Sequence, residues 1–320
     1  MVLLSINPVI FLSMKSNILL SLCLLISLTL VSQTVPQAST GTIRHFEQFP
    51  SKYVDARNVD VWLPQNYNPK KKYAVLYMHD GQMVFDKTIT WNHTAWEVDE
   101  VFGKLMDEKK IRDCIVVGVW NVDGKRSADY YPQKVLDLMP EPTRSEVLEM
   151  VGNPPCADNY LKFLVTELKP FIDKNFSTHR NPKNTFVMGS SLGGLISAYA
   201  LCEYPNIFGG AGCLSIHTPM IDLDKLNANN PAEDNPGALA FREYLMKNLP
   251  KTNTRKFYFD YGNKTIDVYY APYQQRVDEV MKKKGYNKKH CMTRFYEGDD
   301  HSETAWSRRL HIPAVFLLGN

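Results

Sequence analysis

The sequence predicts an α/β fold, a mostly parallel central sheet with helices on both faces. Three observations carry that prediction. From Val59 onward, short β-rich runs alternate with helical patterns, and strand–helix alternation is how a parallel sheet with crossover helices reads in sequence. Several of the runs are apolar throughout, as strands covered on both faces are. No linker, repeat or low-complexity run divides the 320 residues, so one sizeable core is expected.

Residues 44–63 lack a helical pattern and are expected to add antiparallel strands to the sheet. The strand-like runs fall at 59–63, 73–78, 114–119, 185–188, 211–215, 256–261 and 292–296. Helical stretches lie between them at 96–109, 159–175, 192–204, 239–248, 270–284 and 302–318. Residues 129–159 carry five prolines and break the rhythm. A long insertion of that kind is either a lid or binding loop or a surface excursion without a role.

Residues 18–31 form an uncharged apolar run that follows Lys15 and precedes a polar stretch, the pattern of a secretory signal peptide. The run is shorter than the about 20 apolar residues a membrane span needs. Residues 1–33 are therefore expected to be a signal peptide, starting at Met1 or Met14, and 34–320 a single exported domain with no stable membrane span. With 37 Lys+Arg against 34 Asp+Glu, the net charge of +3 is too small for a nucleic-acid footprint. Beyond the signal stand Cys114, Cys156, Cys202, Cys213 and Cys291. All but Cys156 lie in apolar stretches and read as core residues. One disulfide is possible in an oxidising compartment, and no His/Cys spacing suggests a metal.

The strongest local signal is Gly189-Ser190-Ser191-Leu192-Gly193, after an apolar strand and before a helix. This is G-x-S-x-G in the context that gives it meaning, a sharp strand-to-helix turn with a serine at its tip. Small neighbours let such a turn close, and the helix N-terminus behind it favours a developing oxyanion. Register chooses between the serines. Ser191 has Gly at −2 and +2, whereas Ser190 has Met188 and Leu192. Ser191 is the expected nucleophile, with the Leu192 amide as one oxyanion donor.

A serine nucleophile needs a base, and the base an orienting acid, in the chain order Ser, acid, His. His301 lies in a loop between the last strand and the C-terminal helix, where α/β sites are built. His311 sits mid-helix among apolar residues and reads as packing, His290 as part of a solvated turn, and His217 as a pocket-lining residue. For the acid, Asp267 in a loop is favoured over Asp260 within a strand. Asp299 and Asp300 are too near His301 in sequence for easy orienting geometry. The second oxyanion donor is expected from His79-Asp80-Gly81-Gln82, with Gly81 permitting close backbone approach. His79 and Asp80 lack a third metal ligand and read as structural or pocket-lining.

Six segments then resemble the esterase D / enterochelin-esterase-like branch of α/β-hydrolases, which includes feruloyl and acetyl-xylan esterases. They are VLYMHDGQMVFD (75–86), GVWNVDGKRSADYYP (118–132), ELKPFIDKNF (167–176), MGSSLGGLISAYALCEYPNIFGG (188–210), DYGNKTID (260–267) and GDDHSETAW (298–306). The resemblance implies an α/β-hydrolase fold and a cofactor-free, metal-free serine carboxylic-ester hydrolase with Ser191, Asp267 and His301 at the triad positions. It also implies that Gly81 and Gln82 shape the oxyanion hole, with Asp80, Asn121, Arg126 and Tyr130 beside the mouth. Trp306 joins these as an expected substrate contact, and Trp91, Trp96, Trp120 and Tyr131 could stack on sugar or phenolic rings. The expected substrate is an acyl or feruloyl ester of carbohydrate. A siderophore ester, or acyl transfer by the same triad, is the alternative.

Overall fold

The computed structural model describes residues 35–226, 235–252 and 254–319. The expected signal peptide at 1–33 lies outside the described residues. Residues Pro36–Asn320 form one compact unit. Its eight strands are β1 (Thr42–Phe49), β2 (Arg57–Leu63), β3 (Ala74–His79), β4 (Cys114–Val119), β5 (Thr185–Ser190), β6 (Gly210–Leu214), β7 (Lys256–Tyr261) and β8 (Cys291–Phe295). They form one sheet in the order β1-β2-β4-β3-β5-β6-β7-β8. β1 pairs antiparallel with β2, and β2 with β4. Every later pairing, from β3/β4 to β7/β8, is parallel.

The unbroken apolar runs have the expected cause. In β3, Val75 and Tyr77 face one buried cluster while Ala74, Leu76 and Met78 face the other. In β4, Ile115 and Val117 divide from Cys114 and Val116 in the same way. Side chains alternate across a strand, so a strand with a core on each side has no polar face to show.

The helices are α1 (Val98–Asp107), α2 (Arg126–Tyr130), α3 (Gln133–Leu136), α4 (Thr143–Val151), α5 (Ala157–Phe163), α6 (Lys169–Asn175), α7 (Leu192–Glu203), α8 (Pro236–Asn248), α9 (Tyr270–Lys283), α10 (Glu303–Arg309) and α11 (His311–Leu318). Two readings change here. The proline-rich stretch 129–159 is mostly helical, and Val135, Leu136, Val147 and Val151 are buried in the core. The single helix expected over 302–318 is two, α10 and α11, divided at Leu310. Pro313 falls in the first turn of α11, where a missing N–H costs nothing but from which a continuous helix cannot run back. His311 is consequently exposed at the start of α11 rather than packed. All five cysteines from Cys114 onward are unpaired, and Cys291 on the edge strand is only half-buried. Among the described residues, no helix is long and apolar enough to cross a membrane.

Candidate active site

The C-terminal ends of the parallel strands converge on one turn. β5 ends at Ser190, which is buried within the strand, and the chain pivots on Ser191 at φ 56° and ψ −121° before α7 begins. A non-glycine residue with positive φ is strained and persists only where its surroundings impose it. Here the Ser191 amide donates to the Leu214 carbonyl at 2.9 Å, and the Leu195 amide donates to the Ser191 carbonyl at 3.1 Å. Contact requires glycine at 189 and leaves little room for a side chain at 193. A Cβ on Gly189 would stand 2.7 Å from the Gly193 carbonyl carbon, and one on Gly193 would stand 3.2 Å from Asp80 Oδ2. Of the two adjacent serines, the turn presents Ser191.

His301 follows β8, and its Nδ1 lies 2.6 Å from Asp267 Oδ1. Asp267 follows β7 and is fully buried. Burial pushes its carboxyl up. The hydrogen bond from His301, with donors from Ser215 and Gly262, outweighs that and holds it below the usual carboxylate range. An ionised carboxylate only accepts, so His301 Nδ1 carries the proton and Nε2 is left as a base. Asp260, the other candidate acid, is committed elsewhere: its Oδ1 accepts from Arg309 Nη2 and from the Ser215 amide, each at 2.9 Å. Asp299 is taken by Arg308 and Arg309.

The loop after β3 packs against the same turn. Asp80 sits in the left-handed region at φ 55°, and Gly81–Met83 forms one 3₁₀ turn. A Cβ on Gly81 would stand 2.5 Å from the Gly118 carbonyl carbon, so only glycine lets this loop lie flat on β4. The loop backbone thereby borders the N-terminus of α7, whose first amides have no intrahelical partner. Gln82 holds the next loop, its Oε1 accepting from the Asn121 amide at 3.3 Å.

The sequence model of the Esterase family, described as "Putative esterase", matches residues 52–312. The chain belongs to the Esterase family. By that membership the protein is a carboxylic-ester hydrolase. An endo-1,4-beta-xylanase/feruloyl esterase of Xylanibacter ruminicola is 28% identical over 175 residues, 51% of this chain and 20% of that much longer protein. Among solved structures, a ferulic acid esterase from Anaeromyces mucronatus superposes with a TM-score of 0.60 at 18% identity, covering 89% of this esterase and 92% of that chain. The enterobactin esterase from Shigella flexneri gives a TM-score of 0.62 at 16% identity, covering 88% of this esterase and 60% of that chain. At such identities the two structures establish the shared α/β-hydrolase fold.

Several expected substrate contacts are placed differently. Arg126 forks onto Asp80, Nε to Oδ1 at 2.7 Å and Nη2 to Oδ2 at 2.8 Å, and Asn121 Nδ2 donates to Oδ1 at 2.7 Å. Burial pushes the Asp80 carboxyl up, but the Arg126 charge and these hydrogen bonds hold it low. Asp80 therefore anchors its loop, while Arg126 lines the cavity beside Ser191. Tyr130 is fully buried, its hydroxyl accepting from the Asp80 amide at 3.2 Å, and it props that loop from behind. Trp306 is also buried. Its ring stands edge-on to His301 with centroids 5.0 Å apart, and Nε1 donates to Ser215 Oγ at 3.0 Å. Both aromatics pack the frame of the site, as does Trp96, whereas Tyr131, although buried, lines the cavity beside Ser191, and Trp91 is largely exposed.

Sequence reasoning missed Ser215, Arg309 and Tyr270. Ser215 Oγ donates to Asp267 Oδ2 at 2.7 Å while accepting from Trp306 and from Arg309 Nη2 at 2.9 Å. One hydroxyl thus spends its only proton on the acid and both lone pairs on donors. Nothing local in AGCLS or SRRLH signals that meeting across 94 residues. The esterase's described residues include no group of three or more His, Cys, Asp or Glu side chains arranged to hold a metal.

Proposed function

We propose that this esterase is an exported serine hydrolase in which Ser191 attacks an ester carbonyl, His301 takes its proton, and Asp267 orients His301. The observation that carries the reading is the 2.6 Å contact between His301 Nδ1 and Asp267, made by the two loops that follow β8 and β7, beside a strained turn that offers Ser191. Ser191 lines a cavity of about 210 Å³. The Leu192 amide, on that cavity, and the backbone of Gly81 and Gln82, in the loop after β3, stabilise the oxyanion. Protonated His301 then releases the alcohol, and water, deprotonated by the same ring, frees the acyl group. Trp306, Tyr130 and Asp80 support this machinery rather than touch the substrate. Arg126 meets the substrate at the mouth, and Asn121 holds Asp80.

An acyl or feruloyl ester of carbohydrate is the proposed substrate class. It is supported by the feruloyl esterase activity named for the Xylanibacter relative and by the apolar run at 18–31, which reads as an export signal. Hydrolysis of p-nitrophenyl acetate and methyl ferulate should be measured for the mature protein and for Ser191→Ala. Turnover of both that falls by about 10³-fold or more in the variant is expected. Activity that survives in Ser191→Ala would overturn the choice of nucleophile, and turnover of the acetate alone would overturn the feruloyl reading.

A further inference from the structure

The cavity holds two buried polar side chains that the proposed mechanism leaves unused. His217 follows β6 and Tyr270 opens α9, at 6% and 1% exposure. The Tyr270 hydroxyl lies 3.1 Å from His217 Nδ1, and His217 Nε2 lies 3.0 Å from the Ile221 carbonyl oxygen. A carbonyl only accepts, so Nε2 carries the ring proton in that contact. Burial pulls the imidazole down to about 4, so the ring is neutral and Nδ1 has no proton of its own. Tyr270 must then donate its O–H to Nδ1. Burial also drives the phenol well above its usual range, so that proton stays in place. With its hydrogen committed to His217, the Tyr270 oxygen has only lone pairs left for the cavity, where it meets the Ser191 side chain.

We infer that Tyr270, pinned by His217, is a positioning residue that selects water over alcohols as the acyl acceptor. The inference rests on Ser191 and His301 acting as proposed above. In the acyl-enzyme, the attacking molecule gives one proton to His301 Nε2 as its oxygen bonds to the acyl carbon. The C–Oγ bond of Ser191 then breaks and Oγ takes that proton from His301. Water carries a second O–H, which the Tyr270 oxygen accepts, turning a water lone pair toward the carbonyl. That proton leaves with the product as its carboxylic acid. An alcohol has carbon in place of the second hydrogen, so it would leave the Tyr270 lone pair against an alkyl group, a buried acceptor without a donor.

The test is a partition measurement. Wild type and Tyr270→Phe are given p-nitrophenyl acetate with increasing 1-propanol, and propyl acetate and acetate are quantified by gas chromatography. The ratio of transfer to hydrolysis is expected to rise about fivefold in Tyr270→Phe, the worth of one neutral hydrogen bond. A thermal melt checks that the variant is folded. Should it melt out, His217→Leu, which removes the acceptor and frees the Tyr270 proton for the cavity, is expected to raise the ratio in the same direction. A ratio unchanged in a folded variant, with hydrolysis and transfer falling together, overturns the inference while the nucleophile assignment stands. Hydrolysis that survives in Ser191→Ala overturns both.

Discussion

Two His–Asp neighbourhoods flank Ser191, and they behave differently. His79 and Asp80 are consecutive in sequence at the end of β3, while Asp267 and His301 are 34 residues apart. In the first, Arg126 and Asn121 occupy the carboxylate, and His79 Nδ1 turns instead to the Tyr160 hydroxyl at 2.8 Å. Burial pulls His79 down to about 3, so it stays neutral. In the second, among the described residues no arginine forks onto Asp267; His301 donates to one of its oxygens, and Ser215 and Gly262 donate to the other. The competing donor, rather than closeness in the chain, decides whether a carboxylate serves a histidine. A bidentate guanidinium saturates an acid and makes it a structural anchor.

The largest expected effect separates the two acids. Asp267→Asn keeps the side chain's shape but no longer fixes the Nδ1–H tautomer, and kcat/KM is expected to fall about 10³–10⁴-fold. Steady-state kinetics within tenfold of wild type would show that His301 is oriented by something else. Asp80→Asn should act chiefly on stability. It leaves Arg126 without its counter-charge and removes one of its two acceptors, a loss of roughly 2–3 kcal/mol in urea unfolding. The Arg126 side chain retains 34% exposure, which keeps the loss below that of a fully buried pair. A kinetic loss in Asp80→Asn as deep as that in Asp267→Asn would erase the contrast.

What was legible in the sequence follows the same division. Local pattern reveals whatever contiguous residues determine: the apolar strands β3 to β6, and the glycines at 189 and 193 that close the turn on Ser191. Long crossovers hide the rest. The fork of Arg126 on Asp80 spans 46 residues, and the Arg309 contact with Ser215 spans 94. Tyr130 and Trp306 were expected against substrate because they stand in chemistry-rich segments, yet burial is a property of the assembled layers and no aromatic announces it. The helix over 302–318 misled for a different reason. Apolar periodicity continues through the break at Leu310, and only Pro313 marks where the second helix must begin.

A smaller effect tests the silent histidine itself. The folded value of His79, about 3, lies below its ordinary 6.5. Between those values the unfolded chain binds a proton that the folded protein refuses, so stability falls as pH drops through that window. The slope for one such group is at most about 1.4 kcal/mol per pH unit. His217 adds a similar share down to about 4. His79→Gln removes the first share, and urea unfolding from pH 7 to 4.5 should show a shallower acid slope by up to that amount, whatever the substitution costs at neutral pH. Among the described residues His79 Nε2 has no hydrogen-bond partner, so nothing in the fold stands ready to hold a second proton on the ring. An unchanged slope would mean that His79 is protonated in the folded state. Asp80 would then be serving its neighbouring histidine after all, and the Arg126 fork would not be what distinguishes the two sides of Ser191.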